Sequence, residues 1–265
     1  DRLPVLKTYK LFIGGAFVRT ESGRSMCRTT ERGETHFCRA SRKDLRNAVE
    51  AARSRLESWS NATAFLRGQI LYRMAEMLEE RPIESCASEA AVDRLVAWAG
   101  WADKYAQVLG CNNPVAGPYY NFTVPDPTGV VAVVCPDDEP LLSMVSLVAP
   151  VIASGNTCVV RASEAHPLAG GAFGEICATS DVPAGVVNIL TGHRDELLEQ
   201  IASHRGIDAI HGAHVDRRVL ELGASGNMKR VVVRDVADWS DESCESPEWL
   251  EPFVEFKTIW HPSAM

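Results

Sequence analysis

The stretch VVAVVCPDDEPLLSMVSLVAPVIASGNTCVV, residues 130–160, decides the fold, because two short β-branched runs enclose a longer apolar run. Composition and length predict strands over 130–134 and 157–160 and a helix over 141–153. A strand, a helix and a second strand form the unit from which parallel sheets are built. Ligands of such sheets bind at the carboxyl ends of the strands, and the acidic turn PDDEP follows the first strand directly.

The same alternation continues after this stretch. It predicts further strands over 186–190 and 230–233, and further helices over 169–180 and 194–203. The predicted fold class is therefore α/β, with a Rossmann-like parallel sheet and flanking helices.

Three segments are expected along the chain. Residues 1–237 form the Rossmann-like domain, which includes an N-terminal β-hairpin and helices. Residues 238–252 are acidic and rich in serine, so they are expected to form a linker or extended loop. Residues 253–265 alternate like a strand and are expected to form a small separate β element.

The segment before the core has its own signals. Gly14-Gly15 predicts a tight turn within β-structure, and Ser41 with Asp44 forms a capping-box pattern at the start of a helix. A later helix is predicted over 85–109. Cys27 and Cys38 lie roughly opposite one another if residues 31–34 form a turn, so a cross-strand disulfide and two free thiols are both open, and free thiols are favoured.

Composition excludes several classes. The net charge of −8 argues against a nucleic-acid partner, which requires a basic face. No apolar run is long enough to cross a membrane, and no secretory signal is visible, so we expect the cytoplasm, with the mitochondrial matrix as an alternative. Eight cysteines without a C-x-x-C pair argue against a zinc site and favour reduced thiols.

The order of these segments resembles the aldehyde dehydrogenase superfamily. The stretches that carry the resemblance are KLFIGGAFVRTESGRS, RKDLRNAVEAARSRLESW, DPTGVVAVVCPDDEPLLSMVSLVAP, VPAGVVNILTGHRDELLEQ and FVEFKTIWHP. The closest resemblance is to the degenerate second module of the tandem family-16 aldehyde dehydrogenases. It implies a cofactor-binding domain and a C-terminal oligomerisation strand. The family's catalytic domain would lie between them, but a domain of roughly 100–200 residues does not fit between Val233 and Phe253.

The resemblance also implies that the catalytic positions have changed. Asp138 replaces the family's oxyanion-binding Asn, and an ionised carboxylate cannot donate to an oxyanion. Arg234 stands at the position of the general base, and a guanidinium cannot accept a proton at neutral pH. Cys244 is the only later cysteine, and its acidic surroundings are expected to raise rather than lower its pKa. No catalytic residue is therefore assigned.

For the cofactor, the resemblance implies a vestigial site. Arg161 and Glu164 stand where the family's Lys and Glu hold the adenosine ribose of NAD(P), and Gly212 stands in the family's pyrophosphate loop. We expect no cofactor, or weak NAD(P) binding. His211 and His214 would suggest a metal pair, but no third ligand is evident, so an ordinary loop pair is favoured. Asp137, Asp138 and Glu139 suggest a divalent cation only weakly, because consecutive side chains point in different directions.

The terminal strand carries the oligomerisation hypothesis. The residues assigned to it are Phe253, Val254, Phe256, Thr258 and Trp260. The set with Val254 is expected to form the packed face, and the strand is expected to pair with a hairpin around residues 11–17 and Thr123. The expected partner is a second copy or a complete aldehyde dehydrogenase. A non-catalytic assembly module is the favoured function; an oxidoreductase that borrows a catalytic half and a nucleotide sensor are the alternatives.

Overall fold

The structure, a computed structural model, describes residues 5–30, 33–81 and 88–263. Over these residues the chain forms thirteen strands and eight α-helices. The strands are β1 (Thr8–Tyr9), β2 (Leu11–Ile13), β3 (Ala16–Val18), β4 (Ser25–Thr30), β5 (Gly33–Cys38), β6 (Cys111–Asn112), β7 (Tyr119–Pro127), β8 (Val130–Val134), β9 (Thr157–Arg161), β10 (Val187–Leu190), β11 (Ala209–Ala213), β12 (Arg230–Arg234) and β13 (Val254–Pro262). The helices are α1 (Arg42–Ser60), α2 (Ala64–Glu79), α3 (Ser88–Trp101), α4 (Tyr105–Leu109), α5 (Pro140–Ala153), α6 (Pro167–Thr179), α7 (Arg194–Ser203) and α8 (Arg217–Ala224).

A seven-stranded sheet with the order β12-β11-β8-β9-β10-β2-β3 forms the centre. The first five strands run parallel to their neighbours, and β2 and β3 extend the sheet antiparallel. This architecture confirms the predicted α/β class. Strand β11 was not predicted, because AIHGA contains one β-branched residue; it forms because β8 and β12 pair with it on both sides.

Helices cover both faces of this sheet. Along β8, Val131 and Val133 pack into the cluster that contains α2, α3, α5 and α6, whereas Val130, Ala132 and Val134 pack into the cluster with α1 and α7. Helix α5 is buried from Leu141 onwards, which explains why its sequence has no polar face. Among the described residues no helix, α5 included, is long and apolar enough to cross a membrane.

The predicted capping box of α1 is confirmed. Ser41 Oγ accepts from the Asp44 amide at 3.4 Å, and the Asp44 carboxylate accepts from the Ser41 amide at 2.7 Å. The helix expected over 85–109 is two helices, α3 and α4, separated by a break at 102–104, and its expected start lies outside the described residues.

The expected register of Cys27 and Cys38 is wrong. Cys27 stands opposite His36, and Cys38 stands opposite Ser25, so the two thiols are not cross-strand neighbours. Cys27 is exposed and Cys38 is buried, and both are free. The favoured alternative of two free thiols is therefore the one that the structure has.

Residues 238–252 are not an extended loop. They form three successive 3-10 turns, Glu242–Glu245, Pro247–Trp249 and Glu251–Phe253. The turns bury a set of apolar side chains in the same cluster as α3 and α5: Trp239, Cys244, Trp249, Leu250 and Phe253. The acidic composition concealed these side chains, because they have no regular period.

A third sheet, with the order β13-β7-β6, contains the predicted terminal strand. Strand β13 pairs antiparallel with β7 along nine positions, with Thr258 opposite Thr123. The expected pairing with residues 11–17 is wrong, because that hairpin completes the edge of the central sheet instead. Phe253 belongs to the last 3-10 turn and not to the strand.

Candidate functional site

The carboxyl ends of β8, β9 and β10 meet at one edge of the central sheet, where a group of charged side chains lies. This group, the edge network, consists of Arg28, Asp137, Arg161, Glu164, His193 and Arg194. Parallel strands bring these residues together from distant parts of the sequence. Two of the predicted cofactor residues, Arg161 and Glu164, are therefore neighbours.

Four donors surround the Glu164 carboxylate. The Arg194 amide donates to it at 2.7 Å, and His193 Nδ1 lies at 2.8 Å and carries the proton, since a carboxylate only accepts. The guanidinium groups of Arg161 and Arg28 donate at 3.2 and 3.4 Å. Arg28 also donates to the Glu164 backbone carbonyl at 3.0 Å, so this side chain contacts both the backbone and the carboxylate of Glu164.

The Asp137 carboxylate organises the turn that follows β9. Its Oδ1 accepts from the Ser163 hydroxyl at 2.8 Å and from the amides of Glu164 and Ala165 at 2.8 and 3.1 Å. Its Oδ2 accepts from Arg194 at 3.1 Å. These donors occupy the oxygens that a cation would need, and the described residues contain no cluster of metal-ligating side chains.

Arg161 is buried, with 1% of its surface exposed. It donates to the carbonyls of Cys135 and Gly192 at 3.3 and 3.4 Å, and its Nε is buried without a partner among the described residues. The guanidinium therefore ties the ends of β8 and β10 together. Its two terminal nitrogens are engaged by the Cys135 and Gly192 carbonyls and the Glu164 carboxylate.

The carboxylates of the edge network are stabilised in their charged form. Burial alone would raise the pKa of Glu164, but the Arg194 amide, His193 and Arg161 together lower the pKa below its ordinary value. Burial also opposes ionisation of Asp137, and its hydrogen bonds with Ser163 and the following amides lower its pKa. A ligand hydroxyl at Glu164 would have to displace one of these donors.

Gly212 lies within β11 and not in a loop, which corrects the expected position. It is buried, and a Cβ there would approach Val215 Cγ1 to 2.9 Å, so glycine is explained by packing. The loop begins after Ala213, and the next helix, α8, is capped by Asp216, which accepts from the Arg218 amide at 2.8 Å. A carboxylate of the chain itself therefore already occupies this helix start, where an anion is favoured.

Asp138 occupies a separate cluster beside the edge network. Its Oδ2 accepts from Trp239 Nε1, and its Oδ1 lies 3.2 Å from His214 Nδ1. His214 Nε2 lies 3.0 Å from the Val236 carbonyl, so this imidazole joins two segments of chain. The acidic turn therefore fastens the 3-10 segment to the sheet edge, and Asp138 offers no donor to an oxyanion.

The other residues singled out in the sequence, Arg234, Cys244 and His211, are each held by contacts within the chain. Arg234 donates to the Glu248 carbonyl at 3.0 Å and stacks on Trp249 with its Cζ 4.7 Å from the ring centroid. Cys244 is buried, and burial rather than its acidic neighbours is the main cause of its raised pKa. His211 is buried with Nδ1 3.0 Å from the Leu147 carbonyl, so it and His214 point to different partners and do not form a metal pair.

Three members of the edge network were missed from the sequence. Arg28 reaches it from strand β4, and His193 and Arg194 follow β10. The run TGHRD contained a signal for the last two, because a histidine and an arginine that follow a parallel strand reach the same edge as Glu164. Nothing local identifies Arg28, which lies 136 positions from Glu164.

Four of the five assigned assembly residues, Val254, Phe256, Thr258 and Trp260, lie on the sheet formed by β6, β7 and β13, which we name the terminal ribbon, and Phe253 lies in the 3-10 turn before it. Val254 is buried, but the rest of β13 is exposed, with Phe256 at 49% and Trp260 at 60%. Further exposed apolar side chains on the ribbon are Tyr119, Tyr120 and Ile259. Phe256 and Trp260 are therefore not packed in this chain, contrary to the expected packed face.

Hydrogen bonds from Arg230 and Asn156 hold one end of the terminal ribbon against the core. Arg230 donates to the Pro252 and Val254 carbonyls at 3.0 and 2.9 Å, and Asn156 donates to the Phe253 carbonyl at 2.8 Å. Beyond them, β13 is held by its pairing with β7, an edge-to-face contact between Trp260 and Tyr119, and side-chain pairs between the strands. The outer edge of β13 has no strand partner among the described residues.

Together the parallel sheet, the helices on both faces and the order of the strands define a Rossmann-like domain. The family model described as aldehyde dehydrogenase family matches residues 17–234. The chain belongs to the aldehyde dehydrogenase family.

Relatives and solved structures agree with this membership. The chain is 31% identical to retinal dehydrogenase 2 of Mus musculus, over 86% of this chain and 48% of that protein, and 28% identical to omega-crystallin of Enteroctopus dofleini, over 87% and 51%. The NAD⁺ complex of an aldehyde dehydrogenase from Bacillus cereus superposes with a TM-score of 0.80 at 27% identity, covering 86% of this chain and 50% of that one. The chain thus spans about half the length of these relatives.

Proposed function

We propose that this chain is a non-catalytic aldehyde dehydrogenase-like module that acts in assembly, either with a second copy or with a complete aldehyde dehydrogenase. The observation that carries the proposal is the terminal ribbon. It presents exposed aromatic side chains and an open strand edge, and it is anchored to the core at one end. A long edge strand with apolar side chains is a template for pairing with another chain.

The aromatic surface supports this proposal on energetic grounds. Phe256, Trp260 and Tyr119 each expose about half of their surface or more. Aromatic side chains of this kind are enriched at protein interfaces, where they provide most of the binding energy. Exposure of these rings to water is unfavourable. A partner that covers the rings and pairs with the strand edge would therefore gain both burial of apolar surface and backbone hydrogen bonds.

The three catalytic positions support a role without chemistry. Asp138 accepts hydrogen bonds, Arg234 is stacked and hydrogen-bonded, and Cys244 is a buried thiol with a raised pKa. None of these groups can act as oxyanion donor, base or nucleophile. Weak or absent NAD(P) binding is part of the proposal, because Glu164 is fully engaged and Asp216 caps α8.

A second candidate is an oxidoreductase component that needs a catalytic half from another chain or a longer polypeptide. It is favoured by Glu164 and the cationic Arg161 at the carboxyl edge of the sheet, and by the similarity to an aldehyde dehydrogenase that was solved as an NAD⁺ complex. The two candidates differ in cofactor affinity, since only the second requires a nucleotide to bind tightly.

Light scattering coupled to size exclusion tests the assembly proposal. The purified chain at ~50 µM should elute with the mass of a dimer, or form a larger complex when mixed with a complete aldehyde dehydrogenase. The double substitution Phe256→Ser with Trp260→Ser should return it to a monomer, because it removes exposed rings and leaves the buried anchor at Val254 intact.

A matched control is available on another surface. Leu222 and Met228 are 64% and 105% exposed and lie outside the terminal ribbon, so Leu222→Ser with Met228→Ser removes similar apolar area elsewhere. The control should keep the mass of the wild-type chain. A wild-type chain that is monomeric alone and does not change mass with the dehydrogenase would refute the proposal.

A further inference from the structure

A recess lies between the first turns of α1 and the end of α7, and it shares no residue with the edge network or the terminal ribbon. Its volume is ≈ 610 Å³, which falls in the range of small-molecule sites. The residues that line it are Arg42, Lys43, Leu45, Arg46, Gln200, Ser203, His204 and Arg205. Four of the eight are permanently cationic, and none is acidic.

This concentration of positive charge runs against the composition of the chain. The whole sequence has 27 basic and 35 acidic residues, with a net charge of −8. Lys43 is paired with Glu21 at 2.9 Å and Arg46 with Glu50 at 3.4 Å, all four with exposed side chains. Exposed pairs of this kind are weak and are easily exchanged for another anion.

Arg42 and Arg205 are the cations that have no such compensation. Neither forms an ion pair with any residue in the described ranges. Asp44, a buried acid two residues after Arg42, is committed elsewhere, because its carboxylate accepts from the Thr20 hydroxyl at 2.6 Å and the Ser41 amide at 2.7 Å. The recess therefore has uncompensated guanidinium groups contributed by two different elements.

The pKa of His204 reflects the positive charge around the recess. Burial lowers the pKa of His204, and the charges of Lys229 and Arg42 lower it further, against a smaller opposite effect of Glu50. His204 Nδ1 accepts from the Gly206 amide at 3.0 Å, so its neutral ring carries the proton on Nε2 and remains a donor. Gln200 adds a neutral amide donor to the same walls, whereas the Ser203 hydroxyl donates to the Glu199 carbonyl at 2.8 Å.

We propose that this recess binds a small anion that carries phosphoryl groups. Guanidinium forks match the geometry of phosphate oxygens, and two arginines with an adjacent lysine neutralise a dianion. The concave shape and the negative charge of the rest of the chain favour a small anion over an extended polyanion. The site would hold either free phosphate or a phosphorylated metabolite, which present the same chemistry.

Titration calorimetry at low salt tests the proposal with two probes, inorganic phosphate and inorganic pyrophosphate. One saturable site is expected, and the double substitution Arg42→Gln with Arg205→Gln should weaken it at least about tenfold. These side chains are exposed, so folding should persist, and circular dichroism checks this. The matched control Arg81→Gln with Arg218→Gln removes two exposed charges outside the recess and should leave the affinity within about twofold.

The two probes distinguish the sources. Phosphate bound as tightly as pyrophosphate supports a site for free phosphate, whereas tighter pyrophosphate binding supports a ligand with linked phosphoryl groups. No saturable binding of either probe would overturn the proposal. Equal weakening in both double variants would overturn it too, because a general loss of charge would then explain the binding.

Discussion

Four donors converge on Glu164, and this changes what a retained carboxylate can do. In the edge network the acid is held by Arg28, Arg161, His193 and the Arg194 amide. A group with its hydrogen-bonding capacity filled by the protein contributes to the fold and has little left for a ligand. The identity of a residue therefore does not establish its role when its neighbours have changed.

The environment of Glu164 predicts weak binding of the cofactor, which a titration measures. The purified chain should bind NAD or NADP with a dissociation constant of millimolar or weaker, because a ribose would have to displace a charged donor from Glu164. Fluorescence or calorimetric titration measures this. A dissociation constant in the low micromolar range that is lost in Glu164→Ala, but kept in the control Glu175→Ala at an exposed acid, would instead favour the oxidoreductase alternative.

His211 gives the fold a specific dependence on pH. Burial, and to a lesser extent the charge of Arg234, lower the pKa of His211 from 6.5 to about 3, against a smaller opposite effect of the hydrogen bond with the Leu147 carbonyl. At this histidine the unfolded chain takes up a proton below pH 6.5, whereas the folded chain does so only near pH 3. The free energy of unfolding therefore decreases as the pH is lowered from 6.5 towards 3. By pH 5 the loss in free energy of unfolding should be about 2 kcal/mol.

Denaturant unfolding of wild type and His211→Asn between pH 7 and pH 5 measures this effect. Asn keeps a donor for the Leu147 carbonyl and cannot take up a proton, so the variant should lose less stability over this interval. The control His166→Asn changes an exposed imidazole. Parallel loss of stability in wild type and His211→Asn would show that His211 does not cause the dependence.

The sequence identified several residues of the site but did not predict which groups they contact. Asp138 and Arg161 were identified as altered family positions, and the structure explains each by contacts that no local pattern contains, such as Trp239 on Asp138. Arg28 could not be found, since the contact joins two distant strands. The register of Cys27 was wrong because it depended on the assumed turn at 31–34.

At the scale of elements, the 3-10 segment after β12 is the main departure from expectation. Acidic residues dominate its sequence, yet Trp239, Trp249 and Leu250 are buried against α3 and α5. Arg94 of α3 holds this segment: it donates to the Glu245 carboxylate at 3.0 Å, to the Trp239 carbonyl at 2.8 Å and to Ser146 of α5 at 2.8 Å. Long periodic elements such as α1 and β8 were predicted well because their patterns are local.

Replacement of Arg94 tests whether this guanidinium fastens the segment. Arg94→Gln should lower the free energy of unfolding by roughly 3 kcal/mol, because it leaves buried acceptors without a donor. Amide hydrogen exchange over residues 239–250 should accelerate in the same variant. The control Arg73→Gln, in an exposed pair with Glu76, should change neither quantity; unchanged exchange in Arg94→Gln would mean that apolar packing alone holds the segment.

At the scale of the whole molecule, the chain combines a compact core with a ribbon that the core does not cover. Burial along β13 changes from buried at Val254 to exposed at Glu255 and beyond. The sequence predicted this strand and its alternation, but not its partner or its exposure, since both depend on which edge the strand reaches. We therefore propose that the molecule acts through the ribbon and not through the carboxyl edge of the sheet.

Hydrogen exchange along β13 at two protein concentrations tests this central claim most directly. If the strand edge pairs with another copy, amides within residues 254–262 should exchange more slowly at ~50 µM than at ~0.5 µM, while amides of buried β8 stay unchanged. With a complete aldehyde dehydrogenase as partner, the same slowing should appear when that protein is added. Exchange along β13 that is equally fast at both concentrations and unaffected by the dehydrogenase would contradict an assembly role.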